Sequence, residues 1–113
     1  MSVTINEYID FILDKLISFY DPEIIYLFGS QARNQANKDS DIDFLVINES
    51  NKPKRTRTLE FRKKIRGHNN YPIDLIVYTP QEFVDECDIK GTIAYHAKKE
   101  GEILYEKENT FIG

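Results

Sequence analysis

Apolar positions recur along this chain with two different periods, and the change from one to the other outlines the fold. Ile5, Ile9, Ile12, Leu13, Leu16 and Tyr20 follow helical spacing, so residues 5–19 are expected to form an amphipathic helix. Thr4 with Glu7 three residues later forms a capping box at its start, and Asp21-Pro22 ends it, because the residue before a proline is pushed out of helical space. Three β-rich runs follow: 24–28 (IIYLF), 41–47 (DIDFLVI) and 72–78 (PIDLIVY). Each predicts a strand. A short helix is expected at 31–35 and a longer one over 53–66, where Pro53 suits a first helical turn. Thr79-Pro80-Gln81-Glu82 is a second capping box, and helical spacing then runs to residue 99 with an interruption near 88–91. Gly101 reads as a helix C-cap, and 102–105 as a short edge strand. There are no internal repeats and no low-complexity tracts.

The chemistry concentrates around the strand ends. Asp41 and Asp43 are two residues apart, so on a strand their side chains share a face. Adjacent carboxylates repel each other and resist ionising together without a cation between them. Gly29-Ser30, at the end of the 24–28 run, offers bare backbone N–H groups and a hydroxyl, the equipment for gripping phosphate. Asp74 is the only charge in its strand, near its start as Asp41 and Asp43 are near theirs. An unpaired acid in a buried strand is costly, so a partner is expected. Three such carboxylates can hold two hard divalent cations through oxygen ligands. Each residue has a plainer role: a polar turn and strand edge for Asp41 and Asp43, an ion pair for Asp74, a helix cap for Ser30, a surface position for Arg33. The combination favours a metal–nucleotide site, with Arg33 one helical turn past Ser30 and able to lean toward phosphate.

That site dictates a topology. Gly29-Ser30 leaves the first strand where Asp41 enters the second, so the two should run antiparallel; the short connector agrees, since a parallel crossover needs a dozen or more residues. Asp43 and Asp74 both sit near strand starts, so the second and third strands should run parallel, with the 53–66 helix as a right-handed crossover.

Gly29-Ser30, ten residues, then Asp41-x-Asp43 with a later strand aspartate resembles the nucleotidyltransferase superfamily of DNA polymerase β. More narrowly it resembles the minimal nucleotidyltransferases, the small partners of HEPN-domain proteins in prokaryotic toxin–antitoxin pairs. One departure stands out: Asn34 follows Arg33 where members often carry Gly, and Asn is among the few residues that tolerate a left-handed conformation. The resemblance implies an α/β (α+β) polymerase-β-like nucleotidyltransferase fold in one domain over 1–113, with a mixed three- to four-stranded sheet flanked by helices. It implies Mg²⁺ or Mn²⁺ at Asp41, Asp43 and Asp74, which double as catalytic groups, and ATP or another NTP held at Gly29, Ser30 and Arg33. The implied reaction moves AMP, or another NMP, to a hydroxyl, with a tyrosine of a cognate HEPN ribonuclease toxin as acceptor and the chain as a type VII-like antitoxin. Two other functions compete. A small-molecule transferase of the aminoglycoside-modifying type normally needs an additional helical domain. A binding module would hold nucleotide, or mask the toxin sterically, without catalysis.

Composition narrows the field without changing this picture. The longest unbroken apolar run is five residues, 24–28, too short for a bilayer, and no basic segment followed by an apolar stretch opens the chain. Cys87 is the single cysteine and can form no internal disulfide, so a cytoplasmic location is expected. His68 and His96 fall in no metal-ligand spacing. Residues 52–66 carry eight Lys or Arg against one acid, Glu60, a local charge of +7 that leaves −11 on the rest of a chain of net charge −4. Without an aromatic-rich RNA motif, and with an acidic remainder, direct nucleic-acid binding is not expected. The basic charges, Arg55 and Arg57 among them, are expected to face solvent while Leu59, Phe61 and Ile65 pack on the sheet; the alternative is a patch for polyphosphate, RNA or an acidic partner surface.

Overall fold

Caps and strand alternation account for most of the architecture. The computed structural model describes residues 3–28 and 41–107. Helix α1, Ile5–Tyr20, opens on the expected capping box: the Thr4 hydroxyl accepts from the Glu7 N–H at 3.1 Å and the Glu7 carboxylate accepts from the Thr4 N–H at 2.9 Å. It closes at Asp21, which takes a left-handed conformation (φ 51°) that Asp tolerates better than most residues. Tyr8, Ile9, Ile12 and Leu16 form its buried stripe, and each such aliphatic side chain contributes about 1.5–3 kcal/mol by leaving water.

Strands β1 (Ile24–Phe28), β2 (Ile42–Ile47), β3 (Ile73–Tyr78) and β4 (Glu102–Glu106) form one mixed sheet in the order β3-β2-β1-β4. β1 and β2 pair antiparallel and β2 and β3 pair parallel, as the site required; β4 adds antiparallel to the free side of β1. The two central strands are buried almost throughout, because helices cover both faces. On one face Ile25, Leu27, Ile42, Phe44, Val46, Leu75 and Val77 pack against α1 and against Phe61 and Ile65. On the other, Tyr26, Leu45, Ile47 and Tyr78 pack against Phe83 of α3 (Pro80–Glu86) and Ala94 and Ala97 of α4 (Ile93–Glu100). The interruption between α3 and α4 falls where expected. Gly101 does cap α4, but in extended conformation: a Cβ there would lie 2.4 Å from the Ala97 carbonyl oxygen and 3.1 Å from that of Leu27. Close backbone approach, not backbone freedom, requires glycine.

The crossover departs from the expected continuous helix. Residues 53–66 divide into a 3-10 turn, Lys54–Thr56, and a short helix α2, Leu59–Lys64. Phe61 and Ile65 pack as anticipated, whereas Leu59 is half exposed. The larger correction concerns Arg57, which is buried instead of solvated. Its Nε donates to the Lys52 carbonyl at 2.8 Å, its Nη1 to the Val77 carbonyl at 2.9 Å, and its two Nη atoms grip the Glu82 carboxylate at 2.6 and 3.1 Å. Because the helix is interrupted at this residue, the side chain can turn inward and clamp the crossover to the end of β3 and the start of α3.

Candidate active site

β2 and β3 run parallel with Asp43 directly opposite Asp74. Side chains alternate along each strand, so both aspartates point to the α3/α4 face, at the end of the sheet where β2 and β3 begin. Asp43 is half-buried there and Asp74 exposed. Phe28, the last residue of β1, pairs with Asp43 from the other side. Burial pushes the Asp43 carboxyl up to about 6; the Asp74 charge, the Asp41 charge and a hydrogen bond with the Asp74 carboxyl each push it the same way. Two carboxyls sharing a hydrogen bond, with a third acid nearby, resist ionising together, because each charge disfavours the next.

The predicted residues fare differently. Asp43 and Asp74 are brought together. Asp41 precedes the first residue of β2 and is exposed, and its charge is near enough to raise the Asp43 carboxyl. Among the described residues no three His, Cys, Asp or Glu side chains gather into a metal-holding cluster. Gly29, Ser30 and Arg33, and the short helix expected at 31–35, lie outside the described residues. The donor chemistry present fits a hard divalent cation, since Asp43 and Asp74 offer only carboxylate oxygen and their mutual repulsion is what a cation would relieve.

Both histidines, Cys87 and Tyr78 have structural neighbours. His68 packs on Phe11 with ring centres 5.0 Å apart, and His96 lies exposed, 3.8 Å from Glu100. Cys87 is buried, its Sγ 3.7 Å from the Lys98 ammonium. Tyr78 packs under Lys54, and its hydroxyl, pushed up to about 12 chiefly by burial, donates to Glu86 at 2.9 Å. The sequence reading missed the Arg57–Glu82 pair. Glu82 was visible as a capping residue, but nothing in the spacing identified the cation that its second oxygen would meet.

The comparisons with known proteins agree with this geometry. Residues 11–110 match the family described as Polymerase beta, Nucleotidyltransferase. The chain therefore belongs to the polymerase β nucleotidyltransferase family. Among solved structures it is similar to a mutant form of the toxin–antitoxin MntA-HpeT, at 20% identity and TM-score 0.59, covering 88% of this chain and 73% of that one. A toxin–antitoxin structure with AMP-PNP is similar at 20% identity and TM-score 0.60, with the same coverage. These likenesses confirm the polymerase-β-like fold. No curated protein matches the chain. Among the described residues, no helix is long and apolar enough to cross a membrane.

Proposed function

We propose that this chain is a metal-dependent nucleotidyltransferase that moves AMP, or another NMP, from an NTP to a hydroxyl, and that the acceptor is a tyrosine of a cognate HEPN ribonuclease toxin which the transfer silences. The observation that carries the reading is the register of Asp43 against Asp74, with the Asp43 carboxyl raised to about 6. Asp43 and Asp74, assisted by Asp41, would hold Mg²⁺ or Mn²⁺, which when bound supplies positive charge to the triphosphate and to the acceptor oxygen. Asp74, the more exposed of the pair, would orient the acceptor hydroxyl and take its proton. Gly29 would let backbone approach the triphosphate, Ser30 would donate to its oxygens, and Arg33 would lean toward the same charge. The acceptor in this reading is a protein side chain. The toxin–antitoxin assemblies on the same fold, one of them with AMP-PNP, support that choice.

A second reading has one observation in its favour. Among the described residues no three acids gather into a metal-holding cluster, as in a module that binds nucleotide, or masks a toxin, without turnover. Incubating the purified chain with labelled NTPs, Mg²⁺ and the product of the neighbouring open reading frame separates the two. Label on the partner's tyrosine, lost in Asp74→Asn, is the expected result. A stable complex without label would overturn the catalytic reading.

A further inference from the structure

Among the described residues β3 is the edge strand of the sheet, so its two faces meet at that edge. Asp74 looks out on the α3/α4 face. On the opposite face, one residue away, Ile73 forms part of a cavity of about 470 Å³ lined also by Tyr8, Arg62, Ile65, Asn69 and Tyr71. That volume lies within the range of small-molecule and side-chain pockets. Its lining mixes polar and apolar surface, and both tyrosine hydroxyls are already engaged: Tyr8 donates to the His68 carbonyl and Tyr71 to the Val3 carbonyl at 2.8 Å. The rings are left to line the space. One cation, Arg62, lies in the lining; it is exposed, with no carboxylate within ion-pair distance among the described residues.

The cavity is tied to the candidate active site by backbone. The Pro72 carbonyl, part of its lining, accepts from the Ile42 N–H at 3.0 Å, and Ile42 stands between Asp41 and Asp43. A polypeptide passing over the free edge of β3 would therefore meet the cavity on one face and the carboxylates on the other.

We propose that this cavity is the docking site of the protein acceptor, receiving one large apolar side chain carried on an acidic segment. The tyrosine rings with Ile65 and Ile73 take the anchor, and Arg62 meets the flanking carboxylates. Charge complementarity of this kind sets association rate and register, while a buried anchor supplies most of the affinity. The proposal rests on the protein-acceptor reading above and adds to it where the acceptor is held.

The test uses the full chain, ¹⁵N-labelled, titrated with the peptide acetyl-Asp-Glu-Phe-Glu-Asp-amide and with its analogue carrying Ala for Phe. The Phe peptide should shift the amides of Asn69, Tyr71 and Ile73, and the Ala analogue should bind at least tenfold more weakly. Arg62→Glu and Asn69→Trp, both changes at exposed positions, should each weaken the Phe peptide at least tenfold with melting temperature unchanged. Lys52→Glu, in the loop after β2, should not. Equal binding of the two peptides, no shifts in the cavity, or wild-type affinity in both rim variants would overturn the proposal. Asp74→Asn separates this from the catalytic reading, since it should abolish transfer and leave peptide binding intact. Transfer to the partner that survives Asn69→Trp with unchanged KM would refute the docking site alone.

Discussion

Removing Arg57 should destabilise this domain more than removing any other charge in the basic segment. The guanidinium is 9% exposed and makes four hydrogen bonds, two of them to one carboxylate. Arg57→Met keeps much of the side-chain volume but leaves the Val77 and Lys52 carbonyls and one side of Glu82 without their donor. Breaking a buried ion pair from one side typically costs 3–5 kcal/mol. The Glu82 side chain is 32% exposed and can recover some hydration, so the low end, about 3 kcal/mol, is expected. For a domain of this size that lowers Tm by about 10–20 °C. The pH dependence provides an independent check. The hydrogen bonds from Arg57 hold Glu82 down at about 2, against an ordinary 4.5. A depressed acid stabilises the fold above its unfolded pKa, and that contribution is lost as pH falls from about 4.5 toward 2. Discounted for solvent screening, it is worth about 2 kcal/mol. Urea unfolding of wild type, Arg57→Met, Glu82→Gln and the double variant, at pH 7 and pH 3, measures both the coupling and its pH dependence. A loss below 1 kcal/mol in Arg57→Met at pH 7, or a loss just as large at pH 3, would refute this account of the clamp.

Mg²⁺ or Mn²⁺ with NTP should raise the Tm of the wild type, because a ligand bound only by the folded state stabilises it, and Asp43→Asn should lose that response; an equal shift in the variant would remove Asp43 from the site. Without metal, Asp43 at about 6 lies above its ordinary 3.8, so its contribution is favourable below about pH 4 and is lost as pH rises through 6, and Asp43→Asn should flatten that fall in a Tm–pH profile. Ser30→Ala should weaken NTP binding in calorimetry by about 1.5–3 kcal/mol, one charge-assisted hydrogen bond, and Gly29→Val by more; unchanged affinity in both would leave Gly29-Ser30 no more than a helix cap. Gly101→Ala places a methyl 2.4 Å from a backbone oxygen and should cost about 1–3 kcal/mol in denaturant unfolding; wild-type stability there would contradict the close approach.

The parts legible in the sequence were those governed by local rules. Periodicity located all the described helices and strands apart from the break in the crossover, and the caps at Thr4 and Thr79 marked two helix starts to the residue. The position of Asp43 and Asp74 at strand starts led to the parallel pairing that sets them opposite one another. Arg57 escaped because its environment is assembled from distant segments: Val77 is 20 residues away and Glu82 is 25. In the sequence it was one cation in a run of eight, and the charge run suggested a solvated face. The side on which Asp41 points was less legible for a related reason. The i, i+2 rule holds within a strand, but the pairing of β2 with β3 begins at Ile42, so the preceding residue is not bound by it. The cavity beside β3 was invisible because α1, α2 and the 67–72 connection each supply only part of its wall.

The clamp and the candidate site lie at opposite ends of β3, and their separation has a consequence for the chemistry. A strand on the edge of a sheet is held by one neighbour only, and a slip of one residue would turn every side chain to the other face. For β3 such a slip would send Asp74 to the α1/α2 face and present Ile73 or Leu75 to Asp43. Two contacts oppose that slip. At the start of the strand the Pro72 carbonyl is bound by the Ile42 N–H; near its end the Val77 carbonyl is bound by Arg57, which Glu82 holds in turn. The buried arginine therefore bears on the carboxylate pair without touching it, by fixing the register that makes the pair.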